Sequence, residues 1–356
     1  MNKKLQGNTP VMKQYLDVKS KYRDTIILFR MGDFYETFLD DAVITSKILG
    51  IVLTKRANGK AADVDLAGFP YHSLDNYLPK LVRAGHRVAI CEQIEDPKLA
   101  KGIVKRDVVE VVTPGTLTVD KTLTDKSNRY IGSLFFHKNI VGLAFLDSST
   151  GEFHIGECEH HNVNYVLLKF SPQELVISDK VVYSDTDWYK EFKPFITQVD
   201  DYLFEFENAY RVLINNFNVK SLKNFGCDEM LHGISAAGAL AKHISINLAT
   251  SMQHTSKLTP IIDDGFMVLD SFTIKNLEVF QSLSNQGTHG TLIDCIDMTV
   301  TSGGGRLLRK SIMNPLTDIK ILKKRVDTVE AFFENPKILN SIRKSLQKTS
   351  DIQRIF

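Results

Sequence analysis

The spacing of apolar residues changes character once along this chain, and that change dictates its architecture. Up to about residue 230, short apolar runs of strand length alternate with stretches of helical spacing; beyond it, helical spacing prevails apart from one extended interlude. A period of 2 marks strands and a period of 3.6 marks helices. Alternating elements imply an α/β unit, and an uninterrupted helical tail implies a helical one. The expectation is therefore α/β followed by all-α, in two or three domains for 356 residues.

Thr9-Pro10 reads as an N-cap with proline in the first turn, and Val11, Tyr15, Val18 and Tyr22 then recur at helical spacing. The run 25–29 (TIILF) is a strand, broken by Arg30-Met31-Gly32-Asp33. A helix over 42–49 stops at Gly50, and 51–54 reads as a strand before a polar loop over 57–65. Ser73 is placed to cap a helix carrying Leu74, Tyr77, Leu78, Leu81 and Val82, and strands follow over 87–93 and 107–112.

Small polar residues take over near 114–128, so a domain over 1–115 and a linker over 116–128 are expected. A second α/β unit over 129–250 opens with strands at 130–136, 141–147 and 151–155, then a helix at 163–170 and a strand at 174–177. Residues 251–356 are expected to be helical, with 257–270 extended. Ile338, Ile342, Leu346, Ile352 and Ile355 carry the helical pattern up to Phe356 with no closing signal, as expected of the N-terminal part of a longer chain.

Charge alone says little, since the net is +2. Residues 121–255 hold 12 Lys+Arg against 16 Asp+Glu, which makes that stretch a poor phosphate-binding surface. The outer thirds are each mildly basic. No run of about 18 apolar residues suggests a spanning helix, and the first ten residues lack the apolar core of a signal peptide. The four cysteines form no CxxC pair, so they read as four buried thiols in a reducing cytoplasm.

The chemistry concentrates at Phe34-Tyr35-Glu36. In extended backbone Phe34 and Glu36 share a face and Tyr35 turns to the core. An aromatic wedge beside a carboxyl group suits a protein that unstacks bases. An apolar side chain inserted from the minor groove kinks the duplex at a cost of about a few kcal/mol per step. A weakly stacked, deformable step costs less, so discrimination needs no base sequence. A glutamate fits beside DNA if it bonds a base edge, best when protonated and able to donate. A core role for Phe34, next to Phe29 and Phe38, is the plainer alternative.

Six segments, in order, resemble the first domain of the bacterial MutS family of DNA mismatch-repair proteins: 9–16 (TPVMKQYL), 29–36 (FRMGDFYE), 53–56 (LTKR), 67–72 (AGFPYH), 88–97 (VAICEQIEDP) and 111–116 (VVTPGT). Residues 143–153 resemble the start of the family's connector domain, and 270–277 and 291–315 the start of its helical core. The resemblance covers nearly all 356 residues and matches roughly the first two-fifths of a family protein. It implies a mixed-sheet mismatch-binding domain, an RNase H-like connector over 129–250 and an incomplete helical core, or lever domain, over 251–356. By match, Phe34 stacks at a mispair and Glu36 bonds a mispaired base. Phe69 stands where the family often has isoleucine or valine.

The partners so implied are mismatched double-stranded DNA, a second copy of the full-length chain, and the downstream repair protein MutL at the connector, all in the cytoplasm. Lys55 and Arg56 end a strand and are candidate DNA-backbone contacts. No Gly-x-x-x-x-Gly-Lys-Ser/Thr loop is present, so no cofactor is expected in this stretch; ATP and Mg would belong to an ATPase domain beyond it. Catalysis by the chain itself is not expected. Two alternatives come from other classes. One is a relative acting on recombination structures, against which the Phe34–Glu36 pair speaks. The other is a metal-dependent nuclease built on Asp147 and Glu152, or on Asp33, Glu36, Asp40 and Asp41. The last group reads more simply as a solvated helix start, 147–151 as a hairpin turn, and Gly303–Gly305 as a flexible joint.

Overall fold

A computed structural model of the chain describes residues 9–59, 61–95, 102–117, 126–247, 255–262, 264–284 and 287–355. The expected linker lies mostly outside the described residues. Two compact units emerge, one of residues 1–120 with 243–251, the other of 121–242 with 252–356.

The first unit runs α1 (Pro10–Lys21), β1 (Thr25–Met31), β2 (Phe34–Phe38), α2 (Asp40–Leu49), β3 (Thr54–Asn58), β4 (Ala61–Pro70), α3 (Leu74–Arg83), β5 (Arg87–Gln93) and β6 (Arg106–Val112). Its sheet has the order β3-β4-β2-β1-β5-β6, and only β1 and β5 pair in parallel. β1 is a continuous apolar run because both its faces are covered. Ile26 and Leu28 pack with Leu78, Leu81 and Val82 of α3, while Ile27 and Phe29 pack with Met12 and Tyr15 of α1.

The local signals act largely as expected. The Thr9 side chain accepts from the Met12 N–H at 3.4 Å, and Gly50 closes α2 with φ +67°. Ser73 is different: its side chain makes no cap bond, and a short 3-10 turn over Tyr71–Ser73 leads into α3 instead. The polar stretch 57–65 is not a loop. β3 ends at Asn58 and β4 begins at Ala61, so the stretch is a hairpin whose backbone bonds hold polar residues at the sheet edge. The strand read at 51–54 accordingly begins only at Thr54.

The second unit contains β7 (Ile131–His137), β8 (Ile140–Asp147), β9 (Glu152–Glu159), α4 (Val163–Phe170), β10 (Glu174–Ser178), α5 (Asp187–Phe192), β11 (Phe195–Val199), α6 (Phe206–Phe217), most of α7 (Leu231–Asn247), β12 (Leu258–Pro260), α8 (Ser271–Asn276), α9 (Leu292–Ile296), α10 (Ser302–Met313), α11 (Ile319–Glu334) and α12 (Pro336–Leu346). The expected meander β7-β8-β9 is antiparallel, and β10, β11 and β12 extend its sheet in parallel to the order β11-β10-β7-β8-β9-β12. The start of α7 lies so close to β8 that a Cβ on Gly142 would stand 1.9 Å from the His232 carbonyl oxygen.

Two expectations give way here, and one helix departs from its pattern. Gly303–Gly305 are not a joint between helices but the first turn of α10, held by the Thr301 side chain accepting from the Gly304 N–H at 3.1 Å. A Cβ on Gly305 would meet the Lys126 side chain at 2.5 Å, which accounts for a small residue there. Of the cysteines only Cys91 and Cys227 are buried; Cys158 is half-buried and Cys295 exposed. Finally α11 buries none of its apolar residues: Val326 and Phe333 are both exposed, although their spacing is that of an amphipathic helix.

Candidate nucleic-acid interface

β2 carries the site, and the pleat decides what each residue does. Phe34 is the strand's first residue, opposite Met31 of β1 and Pro70 of β4, and is 46% exposed. Tyr35 turns inward and is buried against Phe69. Glu36 returns to the side of Phe34 and is half-buried. Phe34–Phe38 is thus a paired strand, with the alternation that extended backbone requires.

Tyr35 is tied down at its far end. Its hydroxyl donates to Glu92 of β5, and the Arg30 guanidinium, 3.7 Å from Glu92, lies 3.8 Å from the Tyr71 ring centroid. Burial, with the hydrogen bond to Glu92, pushes the Tyr35 hydroxyl well above the usual phenol range. It stays protonated and continues to donate.

Glu36 meets two arginines. Arg56 Nη1 of β3 donates to Glu36 Oε2 at 2.6 Å. Arg106 of β6 donates through Nε to the Arg30 carbonyl at 2.6 Å and through Nη1 to Gln14 and to the Val104 carbonyl, and its charge also reaches Glu36. Burial raises the Glu36 pKa above the ordinary glutamate value; Arg56 and then Arg106 oppose it. Gly68 of β4 faces Glu36 across the ladder, and a Cβ there would stand 2.9 Å from the Tyr35 carbonyl oxygen and 3.4 Å from Glu36 Cγ. A glycine at 68 makes the room in which Glu36 lies.

Of the two candidate backbone-contact residues, Arg56 is drawn to Glu36, while Lys55, the next position along β3, is exposed and alternates to the other face. Sequence reasoning did not single out Arg106 or Gly68. A lone arginine opening a strand, and a glycine between apolar residues, are each too common to point to a site without the register that aligns them.

Four of the carboxylates considered for metal binding, Glu36, Asp41, Asp147 and Glu152, are engaged elsewhere, while Asp33 and Asp40 are exposed. Asp41 is no solvated helix-start acid: it is buried and accepts from the Tyr15 hydroxyl at 2.8 Å, Lys19 Nζ at 2.7 Å and the Ile27 N–H at 3.1 Å. In the second unit, Asp147 accepts from Asn128, the Arg129 N–H and both donors of Ser149. Glu152 is held down to a pKa of about 2 by its hydrogen bond to His154, against burial, with Tyr130 also donating at 2.8 Å. Among the described residues, no group of three or more His, Cys, Asp or Glu is placed to hold a metal ion.

Comparison with known proteins shows what the whole chain is similar to. Three family models match in series: MutS domain I over residues 9–121, MutS domain II over 129–257 and MutS domain III over 272–356. The chain is 43% identical over 350 residues to a DNA mismatch repair protein MutS of Parabacteroides distasonis, covering 98% of this chain and 40% of that protein. It is 42% identical over 358 residues to the protein of the same name from Flavobacterium psychrophilum, covering 100% and 41%. The chain thus spans about two-fifths of the length of these relatives.

Proposed function

The chain belongs to the MutS family, and we propose that it serves DNA mismatch repair by recognising mispaired or unpaired bases in duplex DNA with Phe34 as the wedge. One observation carries this reading: a large aromatic side chain stands exposed at the head of a strand anchored on both sides, beside a half-buried carboxyl group. The fold leaves roughly half of Phe34 unburied, an area worth about 1 kcal/mol to a partner that covers it. Inserted at the minor groove, the ring replaces base stacking. A mispaired step resists that less than a paired one, by up to a few kcal/mol.

Glu36 supplies the polar half. Its burial favours the protonated carboxyl, which can donate to a base acceptor where an ionised one only repels phosphate. Arg56 and Arg106 balance its charge when it is ionised. Arg56 and the exposed Lys55 are suited to the phosphates flanking the mispair, and one positive contact steadies the complex without reading sequence.

The second unit fits the RNase H-like connector that the family likeness implies, because its three antiparallel strands are extended by parallel ones at both edges. Contact with MutL, assembly with a second copy and work in the cytoplasm belong to the same proposal. No helix of the described residues is long and apolar enough to cross a membrane. Binding of ATP would need a glycine-rich loop ending in lysine and a hydroxyl residue, which this sequence lacks, so no step here runs through a nucleotide. The nuclease alternative is disfavoured by the engagement of Asp147 and Glu152 with neighbouring donors. The Phe34–Glu36 pair favours mismatch recognition over recombination structures.

The test is fluorescence anisotropy at low salt on a G·T-mismatched duplex and its matched twin, with Phe34→Ala alongside. A preference for the mismatch that disappears in Phe34→Ala is expected, with little loss of fold stability because the ring is half exposed. Equal binding of both duplexes by the wild-type chain, or a preference that survives the substitution, refutes the proposal.

A further inference from the structure

The second unit holds a cavity of about 650 Å³ that the mismatch site does not use. Its walls come from the strand ends at Tyr130 and His154, the end of α4, the segment after β12, and one face of α10. That volume lies within the range of small-molecule sites.

Its charge is one-sided. Lys169, Arg306, Arg309, Lys310 and Arg325 all line it, and among the described residues no aspartate or glutamate does. Arg306, Arg309, Lys310 and Met313 fall on one side of α10 by helical spacing. Arg306 and Lys310 are balanced from outside the lining. Arg306 is held by Asp351 through two bonds of 2.7 Å, and the charge of Lys310 reaches Glu152. Arg309 is not balanced in this way. Its Nε is buried and bonded to nothing among the described residues, and its guanidinium stands 5.8 Å from the ring centroid of Phe280, also in the wall. A buried guanidinium N–H without an acceptor is destabilising. The guanidinium itself is part of the wall, so an anionic head in the cavity meets its positive charge. The rest of the wall is mostly apolar, with Leu168, Ile261, Phe266 and Phe280 available to the body of a ligand.

We propose that this cavity binds one small organic acid, a carboxylate, sulfonate or phosphate on an apolar or aromatic body, with Arg309 receiving the anionic head and Phe280 the body. The site is independent of Phe34 and Glu36, and it stands or falls apart from mismatch recognition.

An anionic ligand and its neutral isostere separate this site from the exposed apolar helix faces, which accept either. Naphthalene-1-sulfonate and naphthalene-1-sulfonamide serve as probes, titrated calorimetrically into the whole chain. Saturable one-to-one binding of the sulfonate is expected, at least tenfold tighter than that of the sulfonamide and weakening as salt rises. Arg309→Met abolishes the difference and Arg309→Lys keeps part of it. If Arg309→Met does not fold, as judged by circular dichroism, Arg325→Gln is the substitute and is expected to weaken sulfonate binding severalfold. Equal affinity for the two probes, wild-type sulfonate affinity in the folded variant, or no binding of either probe at millimolar concentration overturns the proposal.

Discussion

Replacing Arg56 by methionine tests whether Glu36 acts as a protonated donor. Arg56 Nη1 and Glu36 Oε2 are 2.6 Å apart, with side-chain exposures of 39% and 19%. A charged hydrogen bond inside a protein is worth about 1.5–3 kcal/mol, but an arginine this exposed is screened, so about 1 kcal/mol is the figure to use. All of it favours the ionised carboxylate. Its removal leaves burial opposed mainly by the more distant Arg106, so protonation of Glu36 becomes about fivefold easier. If protonated Glu36 is the form that donates to a base, the preference for a mismatch falls as pH rises through the titration of Glu36. In Arg56→Met that fall moves to higher pH, and on its slope the ratio of G·T to matched affinity rises about fivefold. Anisotropy with both duplexes across a pH series reads this ratio directly. A fall that stays put or moves to lower pH refutes the protonated-donor account. If affinity for both duplexes drops equally at every pH and the salt slope shrinks by about one, Arg56 is a phosphate contact and nothing more.

Two further outcomes follow from packing. Gly68→Ala puts a Cβ 2.9 Å from the Tyr35 carbonyl oxygen, so β2 and β4 must part by a few tenths of an ångström. Overpacking of this kind costs about 1–3 kcal/mol, and thermal unfolding should show it together with a reduced mismatch preference, since Glu36 Cγ is the next atom displaced. Asp351→Asn leaves Arg306 buried without its counter-ion and costs about 3–5 kcal/mol in denaturant unfolding. The Asp351 carboxyl is held below its ordinary value of 3.8, chiefly by its hydrogen bonds from Arg306, so its contribution is complete above that value and is lost as pH falls through the folded-state pKa. Acid titration of the variant should lack that part of the loss.

The elements whose period and termini agree were readable from sequence. α1 with its Thr9 cap, the apolar body of β1 and the β7-β8-β9 meander were anticipated, α3 was anticipated by its period although Ser73 does not cap it and β1 runs on through Met31, and the alternation through Phe34, Tyr35 and Glu36 placed the exposed ring and the carboxyl group on one side. What escaped depends on distant partners. β3 and β4 are polar because they form a sheet edge, where ladder bonds rather than apolar side chains fix the strand. Asp41 looked like a surface acid at a helix start, yet Tyr15 and Lys19, more than 20 residues earlier, make it a buried acceptor. The glycines of α10 look flexible in isolation, and only the Thr301 cap turns them into a helix start. The pairing of Glu36 with Arg56 needs the register of three strands, which no local pattern specifies.

On the proposed function, Phe34 discriminates only if it is stiffer than the stack it enters, and one tie is placed to supply that stiffness. Phe34 has no anchor of its own, being the exposed head of β2; its neighbour Tyr35 reaches through the core to Glu92 on β5. That bond crosses β1, so it ties β2 to a strand it does not pair with. Tyr35→Phe removes the hydroxyl and leaves the ring packing against Phe69 in place. Glu92 is 30% exposed and keeps Arg30 at 3.7 Å, so the loss should be near the low end for a charged hydrogen bond, about 1.5 kcal/mol in denaturant unfolding. If the tie stiffens the wedge, the preference for mismatched over matched DNA narrows in the variant while affinity for matched DNA is unchanged. A stability loss of that size with the preference intact would show that Phe34 is held firmly enough by the β1 and β4 pairings alone.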